Sequence, residues 1–338
     1  MMKSVVVTGP GRVEVVEVPK PSAGPKDVLV RMRACGLCGS DGYYIARGGI
    51  PPREGATPLG HEGAGEVVEV GTEVTGFVPG DHVVMNPLAP GSQLLGSGGP
   101  MGALTEYLLF HDAEPGRELQ IIPRDLPFDV AAINEPMAVA RHAVNRTAPK
   151  PGDTVVVFGA GPIGLGAVLG YRTSGARHVV VVDVQPARLD KALAVGADAV
   201  IHSAEEDVAA RLTELHGPGA TVLGAPRAGT DIYLDAAGVP AVIETALAAA
   251  KANATLGVVA LHKKPVSVDF GALLGVEPTI VTAMGYPQEI YQVTGDIVAN
   301  QDRYARIISH RIPFTDVLAA LDLASTPGAA DKVVVTFD

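Results

Sequence analysis

The whole thiol content of this 338-residue chain is two cysteines, three residues apart in the stretch ACGLCGSDGYY, Ala34 to Tyr44. Thiols at this spacing can form a redox pair, half of a zinc ribbon, a disulfide, or one metal ligand beside a bystander. Two cysteines cannot make a disulfide framework, and a cytosolic C-x-x-C is more plausibly metal-linked or redox-active than structural. Other ligand types stand in PLGHEGAGEVVEVG, which carries His61 and Glu62, and in INEPMAVARHAV, which carries Glu135. Glu135 precedes Pro136, a residue suited to the first helical position, so it is expected at a helix entrance where the positive dipole end keeps it ionised. Cys38, His61 and a carboxylate would form a three-ligand zinc set with an open position. Their separations of 23 and 74 residues carry no local signature.

A second constellation follows the apolar run TVVVF. Gly159, Gly161, Pro162, Ile163 and Gly164 write a G-x-G-x-x-G that leaves a predicted strand and opens a predicted helix. Such glycines permit a tight turn and let a pyrophosphate reach backbone N–H groups at the helix N-terminus, where the dipole favours anions. The glycine pattern alone is a weak signal. Asp183 strengthens it, because it closes the next strand 19 residues after Gly164, where a carboxylate can accept from the adenosine ribose hydroxyls. Arg188, a little further on, is assigned to the same cofactor site. A carboxylate at this position repels a 2′-phosphate, so NAD is expected rather than NADP.

Two kinds of texture must position these groups. The first 110 or so residues read as short strands punctuated by Gly and Pro, and VLVRMRA alternates Val28, Val30, Met32 and Ala34 with Leu29, Arg31 and Arg33. This half is expected to be a β-barrel or sandwich. After Lys150–Asp153 the strands become continuous apolar runs separated by helical segments such as PARLDKALAVG. That alternation predicts a parallel, doubly wound sheet with both faces covered. Residues 285–338 return to mixed helix and strand. The expected division is 1–149 with the returning segment 285–338, and 150–284 as the cofactor domain.

Composition narrows the partners. A hydrophobic share of 47% with 19% charged residues is globular. A net charge of -11 lacks the basic footprint that nucleic acid or an anionic membrane requires. No charged-then-apolar leader precedes SVVVTG, and the longest apolar stretch is too broken by glycine to span a bilayer. A cytoplasmic protein acting on a small molecule is expected.

In this order and at these separations, CGLCGSD, GHEGAGEV, PGDHV, EPMAVA and GAGPIGLGAV resemble the medium-chain, zinc-dependent alcohol dehydrogenase family, closest to its sorbitol, threonine and butanediol dehydrogenase branch. The resemblance covers essentially the whole chain. It implies an α/β protein with a GroES-like β-rich catalytic domain, a Rossmann NAD-binding domain, and a homodimer or homotetramer. It implies one catalytic zinc ion per chain on Cys38, His61 and Glu135, with Glu62 a neighbouring carboxylate able to approach or replace zinc-bound water. Asp41 would hydrogen-bond His61, Cys35 would be a packed bystander, and Ser40 would be the first carrier of the departing proton. Tyr44 is a candidate substrate contact.

The chain also departs from that pattern. Many relatives carry four cysteines for a structural zinc in the lobe occupied here by Asn86–Gly102, and this loop has none. Where many relatives have a histidine five residues after the ligand cysteine, this chain has Tyr43, which puts a histidine-ended proton relay in question. GATVLGAPRAG, before TDIYLDAAG, is longer than usual. His82, His111, His142, His178, His202, His216, His262 and His310 have no motif partners and read as core or surface residues. The reading that follows is an NAD-dependent dehydrogenase of secondary alcohols or polyols. The alternatives are a zinc-free quinone or enoyl reductase of the same fold, which would not need Cys38, His61 and Glu135 together, and a non-catalytic nucleotide-binding protein.

Overall fold

The computed structural model describes residues 1–50 and 56–338. The chain divides into two units, Met1–Glu135 with Ile290–Asp338, and Pro136–Glu289. The first unit opens with β1 (Met2–Gly9), β2 (Arg12–Val18), β3 (Val28–Gly36), α1 (Gly39–Arg47), β4 (Thr57–Pro58) and β5 (Glu62–Val70). It continues through β6 (His82–Met85), β7 (Tyr107–Phe110), β8 (Leu119–Ile122) and α2 (Phe128–Ala131), and the boundary falls inside α3 (Asn134–Arg146). The second unit carries β9 (Thr154–Phe158), α4 (Pro162–Thr173), β10 (His178–Asp183), α5 (Pro186–Val195), β11 (Ala199–His202), α6 (Val208–His216), β12 (Pro218–Ala220) and β13 (Pro226–Ala228). Then come β14 (Ile232–Asp235), α7 (Pro240–Ala249), β15 (Thr255–Val258), α8 (Phe270–Leu273) and β16 (Thr279–Thr282). The chain returns to the first unit with α9 (Gln292–Ala299), α10 (Gln301–Ala305), β17 (His310–Pro313), α11 (Val317–Ser325) and β18 (Val333–Thr336).

The first unit is β-rich, as expected. Its main sheet runs β17-β18-β3-β5-β6-β8, with β7 also paired to β3. Val30, Met32 and Ala34 of β3 are fully buried while Arg31 and Arg33 are half-buried, the alternation a one-sided strand requires. Leu29 is buried as well. Val5, Val7, Met32, Leu59, Phe110 and Val335 belong to one apolar core. The register of β3 matters most for the chemistry. Gly36 stands opposite Glu62 of β5 on one side and Val334 of β18 on the other, so residues distant in sequence meet across one glycine.

The loop Asn86–Gly102 is organised by a buried carboxylate. Glu118, fully buried, accepts from the backbone N–H of Gly91 at 3.3 Å and of Glu114 at 3.0 Å, and from Arg117 Nε at 2.6 Å. Its main chain also ties the loop, since Asn86 N–H donates to Glu118 O at 2.9 Å. The far end of the loop packs on the backbone before His61: Ala103 N–H donates to Gly60 O at 2.7 Å, and a side chain at Gly96 would strike Gly60 O at 2.1 Å.

The second unit is a six-stranded sheet in the order β11-β10-β9-β14-β15-β16, with every pair parallel. Its central strand β9 is buried throughout, because helices cover both faces. Pro186 opens α5 and Gly196 closes it, as the sequence predicts. Strand order reverses between β9 and β14, the kind of switch point where open α/β sheets bind ligands. The segment after α6 forms the antiparallel hairpin β12–β13, with Leu223 88% exposed near its tip. Among the described residues no helix is long and apolar enough to cross a membrane.

Candidate functional site

Cys38 immediately precedes α1, and the carboxylate of Asp41, three residues on, accepts the Cys38 N–H at 2.9 Å. A thiolate at a helix N-terminus is stabilised by the dipole. Gly60, in a left-handed conformation at φ 91°, turns the chain so that His61 and Glu62 enter β5 inside the unit. The Cys38 thiol, a His61 ring nitrogen and a Glu62 carboxylate oxygen lie within 4.8 Å of one another. Thiolate, imidazole and carboxylate are the donor types that zinc takes. His61 Nδ1 and Glu62 Oε1 are buried without hydrogen-bond partners, as ligand atoms or their neighbours can be when a cation completes the site. The residues therefore fit a zinc ion.

Burial by itself pulls the His61 imidazole down, but Cys38, Asp41 and Glu135 outweigh it and hold the group well above the usual histidine range. Desolvation raises the Asp41 carboxyl, partly offset by His61. The expected hydrogen bond from His61 to Asp41 is corrected by the geometry. Nδ1 stands 3.7 Å from Asp41 Oδ1, too far for a hydrogen bond, because the other Asp41 oxygen is held by the Cys38 backbone. The contact is one of charge only.

Glu135 is the second residue of α3 and is buried; the helix starts at Asn134, two residues before the expected start at Pro136. It lies outside the cluster of three, yet its charge acts on both His61 and Lys332. Ser40 is half-buried on α1. Tyr44 packs partly against the core of the unit, whereas Tyr43 is exposed beneath the Arg47 guanidinium. Cys35 is completely buried in β3, and burial pushes its thiol well up.

Lys332 is the residue that sequence reasoning missed. Directly before β18, it is buried, donates to Leu37 O at 2.9 Å and forms an ion pair with Glu62. Desolvation opposes its charge, but Glu62, Cys38 and Glu135 hold the ammonium protonated. Gly36 makes the pair possible, since a side chain there would overlap Glu62 Oε2 at 2.0 Å and press on Lys332 Cε at 3.1 Å. That glycine was the only signal available in the sequence, and its meaning depends on the three-strand register.

In the second unit, Gly159 leaves β9 at φ 97° and Gly161 caps α4, with Pro162 at its first position. A side chain at Gly164 would meet Gly159 O at 1.8 Å, so the helix can sit this close only with glycine there, whereas the space over Gly161 is open. No side chain caps α4, which leaves its first N–H groups available to an anion. Ile163 lies in the first turn of α4 and Arg188 in the first turn of α5. Asp183 ends β10 and is buried. Its carboxylate accepts from Ala160 N–H at 2.7 Å and from Gln185 N–H at 2.9 Å, which fixes the acid beside the glycine turn with acceptor capacity to spare. It lines a cavity of about 380 Å³ with Gly159, Val184, Ser203, Val208 and Ala237. Space, acceptor and anion-binding turn together fit an adenosine diphosphate moiety.

Comparison with known proteins matches two family models to the chain. Residues 162–300 match the zinc-binding dehydrogenase family and residues 24–115 the alcohol dehydrogenase GroES-like domain. The chain is 32% identical over 362 residues to L-threonine 3-dehydrogenase of Symbiobacterium thermophilum, covering 98% of this chain and 95% of that protein. It is 31% identical over 290 residues to sorbitol dehydrogenase of Bacillus subtilis, covering 80% and 78%. Among solved structures, 2R,3R-butanediol dehydrogenase from Bacillus subtilis matches with a TM-score of 0.87 and 26% identity over 99% of both chains.

Proposed function

The chain belongs to the medium-chain, zinc-type dehydrogenase family and is an NAD-binding oxidoreductase, and from that premise we propose that it oxidises a secondary alcohol or polyol with one zinc ion per chain. The observation that carries the reading is the meeting of half-buried Cys38 with buried His61 and Glu62, beside Glu135. A zinc-free reductase of this fold has no use for such a set. Cys38, His61 and Glu135 would hold the ion. Glu62 is the weaker candidate for third ligand because Lys332 already neutralises it.

Zinc, when bound, supplies a Lewis acid that lowers the pKa of the substrate hydroxyl, and NAD accepts the carbinol hydride. The protein's own groups do the rest. The Ser40 hydroxyl would accept the substrate's hydroxyl proton while releasing its own onward toward water, Glu62 stands by as a carboxylate that can approach the metal, and Tyr44 contacts the substrate. The resemblance to threonine, sorbitol and butanediol dehydrogenases points to a carbinol with a neighbouring hydroxyl or amino group. A homodimer or homotetramer is part of the same reading. The edge strand β16, which exposes Ile280 and pairs only with β15 among the described residues, supports it.

The test combines metal analysis of the purified protein with NADH production over diols, sugar alcohols, cyclitols, amino alcohols, primary alcohols and quinones. One zinc per chain and preferential turnover of polyfunctional secondary alcohols are expected. Preference for simple primary alcohols, or activity on quinones alone, would overturn the proposal.

Cofactor choice gives a separate expectation. Replacing Asp183 with serine removes the ribose acceptor and the charge that repels a 2′-phosphate, so NAD should weaken and NADP improve by about 1–3 kcal/mol each. Calorimetric titration of both cofactors measures this. Tighter binding of NADP than NAD by the unaltered protein would contradict it.

A further inference from the structure

The imidazole of His262 follows β15, and its Nε2 lies 2.6 Å from Oδ2 of Asp235, the fully buried last residue of β14. The other oxygen, Oδ1, accepts from Ala237 N–H and from Gly238 N–H, both at 2.9 Å. The main chain adds a further link, because Val259 N–H donates to Asp235 O at 3.0 Å. One carboxylate thus gathers the loop after β14 and the loop after β15. An ionised Asp235 facing an N–H at Nε2 satisfies this arrangement. Nδ1 of the same ring is buried with no hydrogen-bond partner, so the Asp235 contact is the polar anchor that orients the imidazole.

Where these loops lie assigns the pair a task. Asp183, at the end of β10, is on one side of the glycine turn, and β14, β15 and β16 continue the sheet on the other. A dinucleotide laid across the switch point places its adenosine between the ends of β10 and β14 and its second half beyond, toward the ends of β15 and β16. The phosphate turn is in contact with the loop after β14, since a side chain at Gly159 would come within 3.0 Å of Ala236 O. A separate observation points the same way. The residues just beyond β15 and β16 include Leu261 and Met284, exposed by 82% and 91%, whereas Val239, beyond β14, lines the adenosine cavity with Asp183. Two large apolar side chains at adjoining strand ends suit the face of a planar, weakly polar ring better than they suit water.

We infer that His262 is a positioning residue for the nicotinamide riboside half of the cofactor, acting through Asp235 to hold the Val259–His262 loop on which that half rests. The inference rests on the NAD reading of the preceding sections. Its task differs from that of Asp183, which faces the adenosine.

The experiment compares NADH with ADP, which ends at the pyrophosphate, by calorimetric titration of the full chain. His262→Ala is expected to weaken NADH by about five- to tenfold, the effect of losing one buried charge-assisted contact, while ADP binds within about twofold of its unaltered affinity. His262→Gln, which can again present an N–H to Asp235, is expected to recover most of the loss. Unchanged NADH binding in His262→Ala, an equal loss of ADP and NADH, or no recovery with Gln would each overturn the inference. Retained ADP binding also shows that the variant is folded. Failure of the unaltered protein to bind NADH would count against the cofactor assignment and is distinguishable from all three.

Discussion

Cys38→Ser is expected to strip the metal from the protein and to lower kcat/KM by about a thousandfold or more, corresponding to about 4 kcal/mol of transition-state stabilisation lost with the Lewis acid. Metal analysis and steady-state kinetics on the same preparation check it. The partner thiol should behave oppositely. Cys35 is completely buried, its thiol is held protonated by desolvation, and it reaches no further than Gly36 O at 3.4 Å, so Cys35→Ala should retain zinc and turnover. The carboxylates are separated by the same measurement. Glu135→Gln should lose zinc, and Glu62→Gln should retain it, because Glu62 is already paired with Lys332. Zinc loss in the Glu62 variant alone would transfer the third ligand to Glu62 and make Lys332 a brake on metal entry.

Lys332→Met should be among the most destabilising single changes available in the first unit. It leaves the Glu62 carboxylate, with no exposed surface, without the ammonium that neutralises it, and breaking a buried pair in this way costs about 3–5 kcal/mol. The double variant Lys332→Met with Glu62→Gln removes both charges and should regain most of the loss. Urea unfolding of the single and double variants reads the difference. If the double variant proves as unstable as Lys332→Met, the lysine acts mainly through its hydrogen bond to Leu37 O.

The fold was legible because its signals are local. Alternation in β3, continuous apolar runs in β9 and β10, and the proline and glycine that bracket α5 each depend on neighbours in sequence. The glycine turn and Asp183 were legible for the same reason, as they fall on one strand–turn–helix–strand unit. The proposed zinc ligands were not visible from spacing, and only the resemblance to a family brought them together. Lys332 and His262 escaped even that. Each is defined by a partner across a strand pairing, Glu62 over Gly36 and Asp235 beside β15, and no short window contains both members. The same limit applies to Glu118, which looks like any surface acid until the loop from Asn86 closes over it.

The Glu118 arrangement has a practical consequence. A lobe fastened by main-chain N–H groups and a carboxylate has nothing for a chelator to extract and nothing for an oxidant to cross-link. EDTA treatment would therefore act on catalysis and leave this lobe in place, and adding metal back should restore turnover without a refolding step. Oxidative damage is channelled in the same way: with Cys35 sealed inside β3, Cys38 is the one thiol a peroxide can reach, and a bound metal ion would shield it.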